Sequence, residues 1–140
     1  MVHATEGALA ASVHSRNESG YAVETAVRRH QVRADEPADN GGGDTAPTPL
    51  ELLAAGLASC TAITLRMYAE RKGWTVGTLK VGCRAFVEAK GYRFVRSIKI
   101  GAPLTDEQRA RLGEIADRTP VTRVVMAGAP VATEFRAPSS

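Results

Sequence analysis

Alternating apolar and polar positions predict three short strands in the first quarter of the chain. Residues 8–15, 21–25 and 27–33 each place apolar side chains on one face, and residues 16–20 form a turn signal between the first two strands. A loop over residues 35–47 follows, because its glycine, proline, asparagine and aspartate residues exclude a regular element. A loop of this length is expected to be functional or to cover a partner subunit.

The pattern then changes to that of a long helix, with agreeing signals at both ends. Thr48 is a suitable N-cap, Pro49 occupies the first helical position, and Glu51 follows the threonine by three residues, as in a capping box. Gly73 comes directly after Lys72 and provides the C-terminal stop. The sequence therefore predicts one helix that ends at about Lys72.

The middle of this helix is apolar. No charged residue lies between Leu52 and Leu65, and we expect this stretch to be too short for a membrane span, which needs roughly 18–20 residues. A core helix that is covered on all sides fits better. One small sheet is too little to cover it, so we expect the helix to be buried against a second subunit, without membrane association.

The second half of the chain predicts a hairpin, a helix and a last strand. Residues 75–89 and 92–100 have the pattern of paired strands, and residues 105–118 that of an amphipathic helix. Thr119-Pro120 ends this helix, a short turn follows, and residues 131–135 predict the final strand. Within the second strand of the hairpin, alternation places four side chains on one face: Phe94, Arg96, Ile98 and Ile100.

Composition and charge narrow the class of protein. A chain of 140 residues with 44% hydrophobic residues has the size of one globular domain, and the order β-β-β-α-β-β-α-β is an α+β pattern. A net charge of +3 with scattered basic residues does not indicate nucleic-acid binding. Two cysteines are too few for a disulfide framework, and the first residues lack a signal-peptide pattern. We therefore expect a single domain over residues 1–140, in the cytoplasm and with reduced thiols.

The residues that bind metals or cofactors in proteins are not grouped in this sequence. The histidines His3, His14 and His30 are dispersed, and there is no C-x-x-C pair. The glycines at 41–43 lack the strand–GxxxxGK[ST]–helix context of a phosphate loop. We expect neither a metal nor a cofactor, and the cysteines are left as the candidate chemical groups.

Cys60 lies in the middle of the predicted helix, on an apolar surface. Its neighbours one turn away are Gly56, Leu57, Ile63 and Thr64. Gly56 is unfavourable inside a helix by roughly 1 kcal/mol relative to alanine, which indicates a close backbone approach or space above the thiol. Two interpretations stay open: a small buried core residue, or a reactive thiol. Because apolar surroundings disfavour a thiolate, the second requires a cation from elsewhere in the structure.

Cys83 lies in the first strand of the predicted hairpin, on the same face as Val81, Ala85 and Val87. This pattern favours a core cysteine. A role as resolving partner of Cys60 is the alternative.

Two segments resemble a known family. The run Asp35–Trp74 resembles the loop and central helix of OsmC/Ohr-like proteins, and Leu104–Val125 resembles that family's second helix and following turn. The resemblance implies an intertwined homodimer with a long buried central helix in each chain. It also implies hydroperoxide reduction at a cysteine that matches Cys60, with an external thiol as reductant. A substrate pocket is then expected to contain Leu50, Gly56, Leu57 and Thr64.

Three departures separate this chain from the family pattern. The resolving cysteine of the family stands in a Cys-Pro-Val run, whereas this chain has Thr119-Pro120-Val121. A glutamate usually follows the proline that opens the helix, whereas Leu50 stands there and Glu51 comes one residue later, about 100° around the helix. An arginine from the early strands normally holds the thiolate, and Arg16 and Arg33 are both candidates.

Three functions are consistent with these residues, and one of them is a purely structural partner protein that does not use Cys60. The other two are as follows. The first is a one-cysteine peroxidase that reduces organic hydroperoxides at Cys60, with Arg16 or Arg33 as the activating cation and a catalytic contribution from Glu51. The second is a non-catalytic dimer of the same fold, which binds a small apolar or electrophilic ligand or senses oxidation through Cys60.

Overall fold

The computed structural model of the protein describes residues 6–138. Two compact units follow each other along the chain, and the boundary between them falls between Leu53 and Ala54. A single helix runs through this boundary, since it begins at Pro49 and ends at Lys72. The expectation of one domain over residues 1–140 stays a prediction.

The first unit contains a three-stranded antiparallel sheet. Its strands are β1 (His14–Arg16), β2 (Val23–Val27) and β3 (His30–Ala34), in the order β1-β2-β3. The turn between β2 and β3 lies at Arg28, whose φ of 53° is in the left-handed region. The predicted break between residues 25 and 27 was therefore wrong by about two residues, because the turn is set by backbone conformation and not by the alternation of side chains.

The loop over residues 35–47 is confirmed except for a short 3-10 helix at Ala38–Asn40, and it is organised around one carboxylate. Asp35 accepts hydrogen bonds from the backbone N–H of Glu36 at 2.8 Å, from that of Thr45 at 3.0 Å, and from the Thr45 hydroxyl at 2.6 Å. These bonds, of which the one from the Thr45 hydroxyl has the largest effect, lower the pKa of Asp35 from 3.8 to about 2. The ionised carboxylate thus holds both ends of the loop together.

Gly42 is required where this loop folds back on itself. A Cβ atom built on Gly42 would lie 2.0 Å from the backbone oxygen of Glu36, well inside van der Waals contact. A Cβ on the neighbouring Gly43 would have its nearest contacts at an ordinary 3.5 Å. The two adjacent glycines therefore differ in how closely the chain approaches them.

Helix α1 (Pro49–Lys72) begins and ends where the sequence predicts. The backbone N–H of Thr48 donates to Glu51 Oε1 at 2.8 Å, and the N–H of Glu51 donates to Thr48 Oγ1 at 3.1 Å. This reciprocal pair is the predicted capping box. Gly73 has a φ of 71°, as expected for a residue that ends a helix.

Much of the surface of α1 is left exposed or half-exposed by residues 6–138. Its buried residues form one stripe at intervals of four: Leu57, Thr61, Leu65 and Ala69. By length and composition alone, α1 is long and apolar enough to cross a membrane. The expectation of a stretch too short for a bilayer applies to residues 52–65, and the whole helix is longer than that stretch. The core helix of a soluble protein passes the same test.

The second unit packs a hairpin and two further helices around the C-terminal half of α1. Strands β4 (Leu79–Glu88) and β5 (Gly91–Ile100) pair antiparallel. Helix α2 (Asp106–Ala116) and helix α3 (Pro120–Ala127) follow. The buried core of this unit consists of Leu65, Ala69, Val76, Leu112 and Ala116.

The α+β class is confirmed, but the end of the predicted element order is wrong. Thr119 caps α3 with its side chain and Pro120 opens that helix, where the sequence predicted a turn. Residues 131–135 form no strand. Val131 and Phe135 are 88% and 100% exposed, and neither sheet of the described chain pairs with this segment.

We predict that Asp35→Asn destabilises the protein at neutral pH and that this effect diminishes in acid. Because the pKa of Asp35 is about 2 in the folded chain and 3.8 ordinarily, its ionisation stabilises the fold above pH 3.8. That contribution is lost as the pH falls toward 2. Urea unfolding of wild type and variant at several pH values measures the difference, with the exposed Asp39→Asn as a control. A difference that does not change with pH would contradict the assignment.

We predict that Gly42→Ala destabilises the loop by about 1–3 kcal/mol, since the new methyl group must displace the backbone of Glu36. Gly43→Ala is the matched control, because its methyl group has room. Urea unfolding measures both free energies. Equal effects of the two substitutions would show that the close approach at Gly42 does not limit stability.

Candidate thiol site

The two cysteines lie in different surroundings within the second unit. Both are free and partly buried, Cys60 on α1 and Cys83 on β4. Gly56 lies one turn before Cys60, and a Cβ atom built on it would meet no atom within 4 Å. Of the two reasons expected for a glycine here, the structure therefore shows open space and not a close backbone approach. The residue after Cys60, Thr61, is fully buried, and its hydroxyl donates to the Leu57 carbonyl at 2.7 Å.

Cys83 lies opposite a cation. It is the cross-strand partner of Arg96 on β5. Burial raises the pKa of the Cys83 thiol above 9.0, and the Arg96 guanidinium acts in the opposite direction with a smaller effect. Cys83 is therefore protonated at neutral pH, which makes it a weak nucleophile.

Arg96 is the central polar residue of this unit, and the sequence analysis did not single it out. Its side chain is only 17% exposed. It donates hydrogen bonds to Thr61 Oγ1 at 2.9 Å and to Thr122 Oγ1 at 2.5 Å, and its Nη2 lies 3.5 Å from Asp117 Oδ1. The signal was present in the strand pattern, because Arg96 was the one charged residue on an otherwise apolar face.

A cluster of threonines surrounds this guanidinium. Thr119 is fully buried, and its Oγ1 lies 2.6 Å from that of Thr122. The Thr119 oxygen also accepts from the backbone N–H of Thr122, as the N-cap of α3. Position 119 is the place where the resemblance puts a resolving cysteine. Here it carries hydrogen bonds instead of a thiol.

A cavity of about 360 Å³ lies beside the hairpin and α3. Leu57, Cys83, Phe94, Arg96, Val125 and Met126 are among its lining residues. Of the expected pocket residues on α1, Leu57 lines this cavity, whereas Gly56 and Thr64 do not. Leu50 lies at the start of α1, in the first unit, and is partly buried.

The remaining predicted site residues also lie in the first unit. The carboxylate of Glu51 caps its own helix, as described above. Arg16 forms an exposed ion pair with Glu18. Arg16 and Arg33 both align with Glu24 across the sheet, and all three border a shallow polar depression. Within residues 6–138, no three His, Cys, Asp or Glu side chains are grouped to hold a metal ion.

Comparison with known proteins identifies the fold. The sequence profile of the OsmC-like protein family matches residues 41–134. No curated protein matches the chain. An OsmC-like protein from Mycoplasma pneumoniae has a similar structure, with a TM-score of 0.74, 16% identity, and coverage of 84% of this chain and 88% of that one.

Two further similar structures are organic hydroperoxide resistance proteins by name. OsmC from Legionella pneumophila has a TM-score of 0.63 and 18% identity, covering 86% of this chain and 91% of that one. OhrB of Bacillus subtilis has a TM-score of 0.60 and 18% identity, covering 86% of this chain and 93% of that one. At such identities the likeness shows the fold.

We predict that Thr61→Val destabilises the protein by about 1–3 kcal/mol, because it removes an acceptor from the mostly buried Arg96. Thr64→Val is the matched control on the same helix, since Thr64 does not bond to Arg96. Urea unfolding measures both. If Thr61→Val proved no more destabilising than Thr64→Val, Arg96 would not depend on this bond.

Proposed function

Since this chain belongs to the OsmC-like protein family, we propose that it is a thiol-dependent redox protein that reduces organic hydroperoxides at Cys60. The matched segment contains both cysteines. Proteins of similar fold from Legionella pneumophila and Bacillus subtilis carry hydroperoxide resistance in their names. The observation that carries the proposal is the place of Cys60, in mid-helix and partly exposed, one turn from a glycine with open space beside it.

The proposed reaction begins with attack of the Cys60 thiolate on the peroxide. A sulfur–oxygen bond forms, the oxygen–oxygen bond breaks, and the alkoxide leaves as an alcohol after taking up a proton. The sulfur is thereby oxidised by two electrons to a sulfenic acid. An external thiol condenses with the sulfenic acid and releases water, and a second thiol then reduces the mixed disulfide and restores Cys60.

A thiolate on an apolar helix surface needs a cation, and the proposal assigns this role to Arg16 or Arg33. Both lie in the strands of the first unit, where the resemblance places the activating arginine. Glu51 is given a secondary role, because its carboxylate is already engaged in capping α1. Variants of the two arginines, compared for the rate of sulfenic acid formation, distinguish them.

The resolving step is proposed to use an external thiol instead of an internal disulfide. Thr119 cannot form a disulfide, and its hydroxyl is bonded within the threonine cluster. Cys83 is the remaining internal candidate. Its raised pKa keeps it protonated at neutral pH, so it would act only after local opening of the hairpin.

The proposed working form is a cytoplasmic homodimer. Leu53, Ile63 and Met67 on α1 are about half exposed in the single chain, which leaves an apolar surface on a helix of 24 residues. A second copy of α1 would cover this surface. A reducing compartment suits two free thiols. Sedimentation of the purified protein tests the dimer.

The second candidate function is a non-catalytic dimer of the same fold. It is favoured by Thr119, which replaces the resolving cysteine, and by the engagement of Glu51 in its helix cap. Such a protein would bind a small apolar or electrophilic ligand or sense oxidation through Cys60, without turnover.

We predict that Cys60→Ser abolishes rapid sulfenic acid formation with cumene hydroperoxide, whereas Cys83→Ser, the matched control, leaves it intact. The reason is that only the Cys60 sulfur attacks the peroxide in the proposed reaction. Stopped-flow mixing with a sulfenic acid probe measures both rates. Slow reaction of the wild type, at the rate of a free thiol, would favour the non-catalytic alternative. Unchanged peroxide consumption by Cys60→Ser would exclude Cys60 as the nucleophile.

A further inference from the structure

The cavity beside α3 holds one charged residue in an apolar setting. Its volume of about 360 Å³ is within the range of small-molecule sites, roughly 300–1,000 Å³. Leu57, Phe94, Val125 and Met126 provide apolar surface, and Arg96 is the one charged side chain among its lining residues. The cavity is thus suited to a ligand that is apolar except at one end.

The charge of Arg96 is incompletely neutralised within the described chain. A charge removed from water costs several kcal/mol unless it is paired. Thr61 and Thr122 offer neutral hydroxyls, and the one carboxylate paired with Arg96 is Asp117, which is 80% exposed and 3.5 Å away. Both of these hydroxyls accept from Nη1, and the Arg96 Nε donates to no acceptor in the part of the chain that is described. The guanidinium therefore has capacity for a further anionic acceptor.

We infer that this cavity binds a small monocarboxylate with an apolar body, whose carboxylate pairs with Arg96 and whose body packs against Phe94, Val125 and Met126. A guanidinium and a carboxylate match in charge and in planar geometry. A single cation neutralises a single negative charge, which favours a carboxylate over a dianionic phosphate. The inference is independent of the proposed peroxide chemistry, because it involves no thiol reaction.

Cys83 provides an internal reporter of such a ligand. Arg96 opposes the effect of burial on the pKa of this thiol. A carboxylate paired with Arg96 would cancel that influence, and the ligand body would shield the sulfur. Alkylation of Cys83 is therefore expected to slow when the cavity is occupied.

The first experiment measures binding of octanoate to the full chain by calorimetry, with octanamide as the neutral ligand of the same shape. Octanoate is expected to bind saturably, and Arg96→Gln to weaken binding at least about tenfold. Arg93→Gln is the matched control, since Arg93 lies on the same strand and pairs with Glu88 outside the cavity. It is expected to leave the affinity within about twofold of wild type, because exposed charges contribute little.

The second experiment needs no substitution at Arg96, so it still tests the inference if Arg96→Gln fails to fold. Iodoacetamide alkylation of Cys83 is followed in the Cys60→Ser protein, with and without saturating octanoate. A rate reduced at least about fivefold by octanoate, and less by octanamide, supports the inference. The inference is overturned if octanoate does not bind saturably, or if octanoate and octanamide bind with equal affinity. It is also overturned if Arg93→Gln and Arg96→Gln lose equal affinity for octanoate, or if octanoate leaves the alkylation rate of Cys83 unchanged.

Discussion

A guanidinium that is mostly removed from water must find partners, and in this protein three helices supply them to Arg96. Thr61 comes from α1, Thr122 from α3, and Asp117 follows the end of α2. Because each of these contacts is short-ranged, together they help to fix how the three helices pack around β5. The same charge lies opposite Cys83 and lines the cavity. The packing of the second unit, the surroundings of Cys83 and the cavity therefore share one side chain.

The two thiols differ because of where the fold places them. Cys83 lies across from Arg96, yet burial outweighs the cation and keeps its pKa high. Cys60 lies on the long apolar helix, next to a buried threonine and one turn from a glycine without a neighbour. The residue at position 119 is a threonine, which has no sulfur and cannot form a disulfide, and its hydroxyl is hydrogen-bonded to that of Thr122. Any turnover at Cys60 consequently needs a second thiol from somewhere other than position 119.

The central helix connects the fold to the proposed assembly. Its cap at Thr48 and Glu51 and its end at Gly73 are local features. Its buried stripe covers about one face, and the proposed second copy would cover the remaining apolar side chains. The loop before it is held by the Asp35 carboxylate and permitted by Gly42. The segment that matches the OsmC-like family begins at residue 41, so it includes Gly42 and the whole helix but not Asp35.

The sequence alone determined the features that depend on neighbours within a few residues: the capping box at Thr48, the glycine-rich loop, the hairpin and the α+β order up to α2. Local hydrogen bonds and backbone preferences decide these, so the residues involved can be read in order along the chain. Only the tertiary structure decided which residues bond to Arg96 and whether residues 131–135 form a strand. The two threonine partners of Arg96 lie 26 and 35 residues away along the chain, and a strand exists only where another strand pairs with it. Contacts of that range arise from packing, which no local pattern of residues specifies.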